Sequence, residues 1–530
     1  MRLNVVDLLE RGADDEVALV DRDRRLTHAQ WRALVASVAS ALAASGVRRR
    51  DRVAIVVDKT IEAVAVLFGA LHLGAIAVPL NPGLRPAQLA HALQDAGPVR
   101  VFATTARRAA WHDTADQDED ALASRLAAIG TLPVSLDGSE WEAFLEAGRS
   151  AGDVPRFAAI DRDPALILYT SGSTGLPKGV VLSHRNLLAG AESVASYLGN
   201  RPDDRILAAL PLSFDAGLSQ LTTAFAAGAR VVLHQYLLPQ DCLRLMAREG
   251  ITGLTAVPPL WLQLSRCDWP AAASASLRYF ASTGGRMPAA TLSALRSLAP
   301  AAEPFLMYGL TEAFRSTYLP PHEAARRPDS IGRAIPGAEI LVLRPDGTPC
   351  EPDEPGELVH LGATVTLGYW NDPARTAERF RPVPRALPGL PSDEIGVWSG
   401  DIVRRDAEGF LYFIGRRDEM IKTSGHRVSP TEVEEVLYGD PGVRECVAFG
   451  IPDEALGQAI AVVVQPAARH ASDADDAALV DRLRERCRRH LPGWMVPRQV
   501  RVVHEPLPRS PNGKIDRLAL ARAETGEGAP

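Results

Sequence analysis

The chain has 530 residues, of which 46% are hydrophobic, and its formal net charge is −7. This length predicts a large layered domain with at least one smaller unit, because a single hydrophobic core does not grow to this size. The weakly acidic balance excludes strong non-specific attraction to nucleic acid or to anionic membranes. The basic run Arg482–Arg489 is therefore predicted to be a solvated helix surface, with a docking site for an acidic partner as the alternative.

Cysteine spacing and hydropathy indicate the compartment. The five cysteines, at positions 242, 267, 350, 446 and 487, form no C-x-x-C pair and no zinc-spaced cluster, which predicts free thiols in a reducing cytosol. No apolar stretch approaches the roughly 20 residues that cross a bilayer, and the first 20 residues lack the apolar core of a signal peptide. We therefore expect a cytoplasmic protein without a transmembrane segment.

The first half of the chain alternates helix and strand patterns. Thr27 and Gln30 form a capping-box pattern that predicts a helix through Leu42, ended by Gly46. The other predicted elements are strand Val53–Val57, helix Ile61–Leu73, strands Ala75–Val78 and Ile206–Leu210, helix Gly217–Ala226, strand Arg230–Leu233, helix Asp241–Arg248 and strand Ile251–Val257. Alternation of this kind predicts doubly wound α/β layers.

The pattern changes after about Ser330. Strands Ile340–Leu343 and Gly356–Leu361, joined through a Pro-Asp-Gly turn, predict a small β subdomain. Beyond a boundary near Gly415, Ser429 is a predicted helix N-cap, followed by a compact α+β domain of roughly 110 residues. Its further predicted elements are strands Cys446–Phe449 and Ala459–Val464 and a helix over Ala477–His490, while Asp113–Asp120 and Arg381–Ser392 are predicted loops.

The most informative segment runs from Tyr169 to Gly179. Its glycines let backbone N–H groups converge on an anion, its hydroxyls add donors, and Lys178 adds a positive charge. This pattern predicts a phosphate-binding loop. Leu176 and Pro177 separate Gly175 from Lys178, so the loop is not the common G-x-x-x-x-G-K-[ST] type. A flexible turn between two strands is the alternative, but it does not explain why Pro177 and Lys178 follow the Ser/Gly-rich stretch.

Six polar motifs follow one another in a fixed order. They are Tyr169–Gly179, Tyr308–Glu312, Ser399–Asp401, Gly415–Asp418, Lys422–Val428 and Pro511–Asp516. Their order and spacing resemble the adenylate-forming superfamily, which includes acyl-CoA synthetases, peptide-synthetase adenylation domains and luciferases, from Thr27 to about Leu520. Leu212–Gln220 and Met307–Tyr318 further resemble an exosortase-associated bacterial subgroup of AMP-forming acyl-CoA ligases.

The resemblance implies a fold and a reaction. The fold is α/β: a large N-terminal domain of layered α/β subdomains with a small β subdomain at 1–415, a hinge at 416–418, and a small mobile α+β domain at 419–530. The reaction uses ATP and Mg²⁺ to convert a carboxylic acid into an acyl-adenylate, with release of pyrophosphate. A thiol, that of coenzyme A or of a phosphopantetheinyl carrier protein, then displaces AMP.

The resemblance also implies roles for individual residues. Glu312 positions Mg²⁺, Thr311 binds the α-phosphate, and Lys514 bridges the acyl carboxylate and phosphate. Asp401 accepts the ribose hydroxyls, with Arg416 nearby, while Asp418 is the hinge and Gly425 lines the thiol tunnel. The remaining ATP-binding positions are Thr170, Ser171, Gly172, Ser173, Thr174, Gly175, Lys178, Gly284, Gly285, Tyr308 and Gly309.

The acyl pocket is expected to be lined by Phe214, Gly217, Leu218, Gly284 and Leu310. Asp215 has two interpretations: it pairs with the ammonium of an amino-acid substrate, or it caps the helix that follows.

Leu310 stands where many amino-acid domains have proline, which favours an acyl-CoA ligase over a standalone adenylation enzyme that loads a carrier protein. A non-catalytic nucleotide-binding protein is disfavoured because Glu312 and Lys514 are present. A kinase-like ATPase is disfavoured because no Walker loop occurs.

Overall fold

The computed structural model describes residues 3–84, 86–110, 133–170, 177–383, 394–417, 419–423, 426–453, 456–468, 472–509 and 514–525. The chain forms two compact units. The first comprises residues 1–340 and 360–397, and the second comprises residues 341–359 and 398–530. Within the described ranges, no helix combines the length and the apolar character that crossing a membrane requires.

The α-helices are α1 His28–Ala44, α2 Ile61–Leu73, α3 Pro86–Ala96, α4 Thr105–Ala110, α5 Gly138–Ala151, α6 His184–Leu198, α7 Asp215–Ala227, α8 Pro239–Glu249, α9 Pro258–Leu264, α10 Ala271–Ser276, α11 Ala289–Leu298, α12 Pro373–Arg379, α13 Pro430–Tyr438, α14 Asp473–His490 and α15 Arg517–Thr525. Short 3₁₀ helices cover Val5–Glu10, Thr311–Ala313, Pro321–Glu323 and Gly493–Met495.

The strands are β1 Val17–Asp21, β2 Arg24–Thr27, β3 Arg52–Val56, β4 Ile76–Pro79, β5 Arg100–Ala103, β6 Val134–Ser135, β7 Pro164–Thr170, β8 Lys178–Ser183, β9 Arg205–Ala208, β10 Arg230–Leu233, β11 Gly253–Ala256, β12 Tyr279–Ser282, β13 Glu303–Tyr308, β14 Thr317–Leu319, β15 Ser330–Ala334, β16 Ala338–Leu343, β17 Gly356–Gly362, β18 Phe380–Pro382, β19 Ile395–Arg405, β20 Leu411–Arg416, β21 Ile421–Thr423, β22 His426–Val428, β23 Val443–Asp453, β24 Gly457–Pro466 and β25 Gln499–Val502.

The first unit contains two largely parallel sheets. One has the order β6-β5-β3-β4-β7-β8, in which only the β7–β8 pair is antiparallel. In the other, strands run in the order β15-β14-β13-β12-β11-β9-β10-β1-β2, with parallel pairing from β13 to β1. Short runs such as Arg230–Leu233 are almost fully buried, as expected of strands covered by helices on both faces.

Three aromatic side chains join the helices of the first unit. Trp31 of α1 lies 6.0 Å from Phe68 of α2 and 6.1 Å from Phe225 of α7, measured between ring centroids. The Phe68 and Phe225 rings meet edge to face at 5.6 Å. All three side chains are fully buried. This cluster fixes α7, whose first residues include the predicted acyl-pocket positions, against the helices that precede it in the chain.

The second unit is built around a mainly antiparallel sheet in the order β22-β21-β24-β23, with β25 parallel to β24. Apolar side chains of β23 and β24 alternate between two clusters, one containing Val462 and Leu483 and the other containing Val463 and Leu507. The β19–β20 hairpin pairs Asp401 with Arg416. Both strands of this hairpin therefore carry, at paired positions, residues that sequence patterns assign to nucleotide binding.

The predicted α/β fold with a large N-terminal and a small C-terminal domain is confirmed. The Thr27–Gln30 capping box, the Ile61–Leu73 helix and the Arg230–Leu233 strand occur as predicted. Other predicted elements occur with ends shifted by a few residues, and all five cysteines are free thiols.

Two local features need a correction. Ser429 is the N-cap residue of α13, as predicted, but its hydroxyl donates to the Ile414 carbonyl and makes no capping hydrogen bond. Arg381 and Pro382 belong to β18 and not to a loop. The predicted loop Asp113–Asp120 and residues 384–393 lie outside the described residues. The hinge at 416–418 remains a prediction.

Candidate active site

Three side chains from distant parts of the first unit meet at the start of β8. Lys178 Nζ lies 2.8 Å from Glu312 Oε1 and 2.9 Å from Tyr369 Oη. The Tyr369 hydroxyl donates to the same Glu312 oxygen at 2.6 Å. Lys178 also lies 4.4 Å from the centroid of the Tyr369 ring. We call these three residues the carboxylate cluster.

The carboxylate cluster holds Glu312 ionised. Burial raises the pKa of Glu312, but the positive charge of Lys178 and the hydrogen bonds from Lys178 and Tyr369 oppose it and lower the pKa to about 2. Burial and the nearby Glu312 charge raise the pKa of Tyr369, so its hydroxyl keeps its proton. A carboxylate, an ammonium and a neutral hydroxyl donor are therefore present together near neutral pH.

A strained turn separates Glu312 from the residues that follow it. Thr311–Ala313 forms one 3₁₀ turn, and Phe314 ends it with φ of 58° and ψ of −57°. Positive φ is rare for a bulky residue and costs of order 1–3 kcal/mol, so the surrounding packing must hold it. The Phe314 side chain is fully buried. Glu312 consequently contacts Lys178, whereas Arg315 contacts Thr283.

The phosphate loop predicted from sequence is flanked by an antiparallel strand pair. Thr170, at the end of β7, pairs in register with Lys178 at the start of β8. The Thr170 hydroxyl is buried and has no hydrogen-bond partner among the described residues. Ser171, Gly172, Ser173, Thr174 and Gly175 lie outside the described residues. The described ends of the loop thus present one unpaired hydroxyl and one ammonium.

Glycines allow close backbone packing near the end of β13. Tyr308 is the last residue of this strand and is half-buried. Gly284 has φ of +80°, a conformation that favours glycine. A Cβ on Gly309 would lie 3.1 Å from the Arg315 Cα, and one on Gly285 would lie 3.4 Å from Pro258. Tyr308, Gly284, Gly285 and Gly309 lie in the first unit, which also contains the carboxylate cluster.

The predicted acyl-pocket residues gather at the start of α7. Phe214 takes the N-cap position without a side-chain capping bond, and Asp215 is the first helical residue. Asp215 is buried, and its Oδ1 accepts from the Ala216 backbone N–H at 2.8 Å. The N-cap interpretation of Asp215 is therefore wrong by one position. Leu218 is buried, and Leu310 packs beside the buried Val365 and Val397.

Gly217 is required by packing. A Cβ at this position would lie 1.9 Å from the Pro211 carbonyl oxygen, closer than atoms can approach. We expect Gly217→Ala to lower the free energy of unfolding by about 1–3 kcal/mol, because the turn at 211–214 must move. Chemical denaturation measures this change. Gly493→Ala is the control, since a Cβ there meets nothing within 4 Å; equal losses in both variants would contradict the packing argument.

The second unit carries the remaining described candidates. Asp401 is buried, and its Oδ1 lies 3.5 Å from Arg416 Nε. Its backbone N–H donates to Ser399 Oγ, and the neighbouring Gly400 N–H donates to the Glu357 carboxylate. Lys514 is exposed. Asp418 and Gly425 lie outside the described residues.

The residues fit a magnesium ion held mainly by phosphate. Within the described ranges, no group of three or more His, Cys, Asp or Glu side chains is close enough to bind a metal. Glu312 is ionised and partly buried, and the hydrogen bonds from Lys178 and Tyr369 both fall on one of its oxygens, Oε1. Mg²⁺ is commonly bound through one or two carboxylates together with substrate phosphates and water.

Comparison with known proteins identifies the family of the chain. The family model of the AMP-binding enzyme matches residues 9–370, and that of the AMP-binding enzyme C-terminal domain matches residues 432–514. The chain therefore belongs to the AMP-binding enzyme family, within the adenylate-forming superfamily. It is an AMP-forming acid–thiol ligase: it adenylates an acid with ATP and transfers the acyl group to a thiol.

Three curated relatives illustrate the range of the family. The chain is 32% identical to a sulfoacetate–CoA ligase of Cupriavidus necator, over 90% of this chain and 88% of that one. It is 33% identical to an indoleacetate–CoA ligase of Aromatoleum aromaticum, over 93% and 92%. It is 30% identical to an L-proline–[L-prolyl-carrier protein] ligase of Pseudomonas fluorescens, over 96% and 97%.

Two solved structures are similar along nearly the whole chain. ATP-bound MatB of Rhodopseudomonas palustris has a TM-score of 0.84 at 27% identity, covering 99% of both chains. The o-succinylbenzoate CoA synthetase of Bacillus subtilis, in complex with its acyl-adenylate intermediate, has a TM-score of 0.81 at 27% identity, covering 98% of both.

Sequence reasoning missed Tyr369 and gave no role to Arg315. Tyr369 lies 57 residues from Glu312 and 191 from Lys178 along the chain. A Gly-Tyr-Trp tripeptide after an apolar strand gives little local signal of such contacts. Arg315 lies within the motif Met307–Tyr318, three residues after Glu312, and this position was the available signal.

Proposed function

We propose that the carboxylate cluster is the centre at which the acid is adenylated, and that the acceptor thiol is that of coenzyme A. The observation that carries this proposal is the meeting of Lys178, Glu312 and Tyr369 beside the ends of the predicted phosphate loop. The reaction joins a carboxylate to a polyphosphate, so it needs fixed positive charge where the two anions meet.

In this proposal Lys178 and the loop hydroxyls bind the β- and γ-phosphates. ATP offers Lys178 a stronger anionic partner than Glu312, so Lys178 moves to the phosphates and Glu312 becomes available to magnesium. Magnesium, when bound, supplies charge neutralisation on the phosphates. Tyr369 keeps its hydrogen bond to Glu312 throughout and so holds the carboxylate in place. Thr311 donates to the α-phosphate.

The other nucleotide contacts are proposed from the same family pattern. Tyr308 stacks on adenine, and Gly284, Gly285 and Gly309 let the backbone approach the nucleotide. Asp401 accepts both ribose hydroxyls, for which a carboxylate has the matching pair of acceptor oxygens. The position of Asp401 supports this role, because its carboxylate is buried and lies 3.5 Å from Arg416 Nε.

The second step is proposed to use another face of the C-terminal domain. Lys514 serves adenylation, and Gly425 leaves room for the pantetheine arm during thiol attack. Rotation about Asp418 exchanges the two faces. The exposed position of Lys514 supports its proposed role, since a residue that enters and leaves a site must be free to move.

Coenzyme A is the proposed acceptor, with a carrier protein as the second candidate. Relatives with CoA-ligase names and one carrier-protein ligase are almost equally similar to the chain. Leu310 favours coenzyme A, because many amino-acid adenylation domains have proline there. Asp215 keeps the second candidate open, because it is a buried carboxylate beside the proposed acyl pocket.

A panel of carboxylic acids tests the proposal through two measurements. Pyrophosphate exchange with ATP reports adenylation, and AMP release in the presence of coenzyme A or of a phosphopantetheinylated carrier protein reports the acceptor. We expect AMP and pyrophosphate as products, and faster AMP release with coenzyme A. Formation of ADP, or no exchange with any acid, would contradict the proposed chemistry. Faster AMP release with the carrier protein would contradict only the proposal that coenzyme A is the acceptor.

A further inference from the structure

Arg315 is a buried cation that forms no ion pair within the part of the chain that the structure describes. Its side chain is among the largest that are fully enclosed, with 2% exposure. Its Nη1 donates to Thr283 Oγ1 at 2.6 Å, while its Nε finds no acceptor. In the described part of the chain, no Asp or Glu lies within ion-pairing distance of it. Arg278, by contrast, forms an ion pair with Asp204 at 2.7 Å.

Arg315 lines an internal cavity beside the proposed acyl pocket. Ala216, Ser219 and Thr223 of α7 form one wall, and Met307 of β13 forms another. Ala216 and Met307 are the chain neighbours of Asp215 and Tyr308, which the proposed function assigns to the acid and to adenine. The cavity therefore borders the start of α7 and the end of β13, the two elements that carry these positions.

Most of the other polar groups of the cavity are already engaged in hydrogen bonds. Gln220 donates to the Leu207 and Thr255 carbonyls and accepts from the Leu210 N–H. The Tyr279 hydroxyl accepts from Asn200, and Ser219 and Thr223 lie 3.3 Å apart. The guanidinium is the one charged group among the described residues that line the cavity. A water molecule in the cavity could accept a hydrogen bond from Nε–H, but it would not balance the positive charge of the guanidinium.

The cavity has room for about one water-sized group. A carboxylate or sulfonate is larger, so its entry requires a neighbouring side chain to move. Met307 is suited to this movement, because methionine is unbranched and changes rotamer readily.

We propose that Arg315 binds a second, anionic group at the remote end of the acid substrate. The inference rests on the proposed function and specifies its substrate class: acids that carry a further carboxylate or sulfonate. A guanidinium can donate two parallel hydrogen bonds to a pair of oxygens on either kind of group. An apolar acid would leave the buried charge uncompensated and would therefore bind less well.

Matched acids test the proposal by pyrophosphate exchange. The pairs are butyrate with succinate and hexanoate with adipate, and 3-sulfopropionate separates sulfonate from carboxylate recognition. In at least one of the two pairs, we expect the acid with the second anionic group to have a kcat/KM at least tenfold higher than that of its monoacid. Arg315→Met should lower kcat/KM for that acid at least a hundredfold and raise it for the monoacid. Arg315→Lys should restore part of the preference.

Arg201→Met, at an exposed arginine of the same unit, is the control and should leave the preference unchanged. Calorimetric titration of the wild-type protein with the same acids and ATP measures binding without turnover. Faster exchange with monoacids, or an unchanged preference in Arg315→Met, would overturn the inference while leaving the proposed function intact. Exchange with none of the acids would instead reject the proposed function. If Arg315→Met does not fold, the substrate preferences of the wild-type protein and of Arg315→Lys test the inference.

Discussion

Glu312→Gln is expected to reduce the rate of acyl-adenylate formation by about a hundredfold to a thousandfold, the effect typical of removing one fixed electrostatic group from a reaction centre. The substitution preserves the size of the side chain and its ability to accept from Tyr369. It removes the negative charge that Lys178 and the two hydrogen bonds maintain. Pyrophosphate exchange measures the rate, and Mn²⁺ binding in the presence of ATP, followed by electron paramagnetic resonance, measures the metal site without turnover.

Tyr369→Phe is the matched control for Glu312→Gln. It removes one hydrogen bond to the same oxygen while keeping the charge of Glu312, so we expect a loss of about tenfold, the effect of one bond to a charged group. Exchange and Mn²⁺ binding within twofold of wild type in Glu312→Gln would show that the carboxylate cluster is not the adenylation centre.

Lys514→Ala is expected to separate the two half-reactions. Loss of the bridging ammonium should slow adenylation by a hundredfold or more. Thioester formation from supplied acyl-adenylate should remain within about threefold of wild type, because the other face of the domain serves that step. Stopped-flow or quenched assays of each half-reaction measure the two rates independently.

Gly425→Leu provides the opposite case, since a bulky side chain should obstruct the pantetheine arm and spare adenylation. Arg522→Ala, at an exposed basic residue of the C-terminal domain, should change neither rate. Equal losses of both half-reactions in Lys514→Ala and Gly425→Leu would reject the alternation of two faces.

Much of the fold could be predicted from local signals in the sequence. The helix Ile61–Leu73 has an apolar run, a threonine N-cap and a left-handed glycine at its end, and all of these act within a few residues. The capping box of Thr27 and Gln30 is equally local. The family could be predicted from the order of the motifs, because that order is visible in the sequence without knowledge of the contacts that the motifs make.

Long-range contacts could not be predicted in this way. Ser429 has the sequence signature of an N-cap, but a carbonyl 15 residues earlier competes for its hydroxyl. Tyr369 contacts Glu312 only because separate strands and turns bring the two together. Arg315 is notable because no acidic side chain pairs with it in the described ranges, and a local sequence pattern cannot predict such an absence. The exosortase-associated resemblance remains a prediction.

The parallel pairing of β1 with β10 has a consequence for synthesis on the ribosome. Leu19 pairs in register with Val231, so β1 leaves the exit tunnel long before the strand with which it pairs. Until then, the apolar faces of α1 and α2 have no complete sheet to cover. Because such non-local pairing is slow and leaves hydrophobic surface open, the nascent chain should depend on chaperones, and its aggregation during expression should worsen when translation is fast.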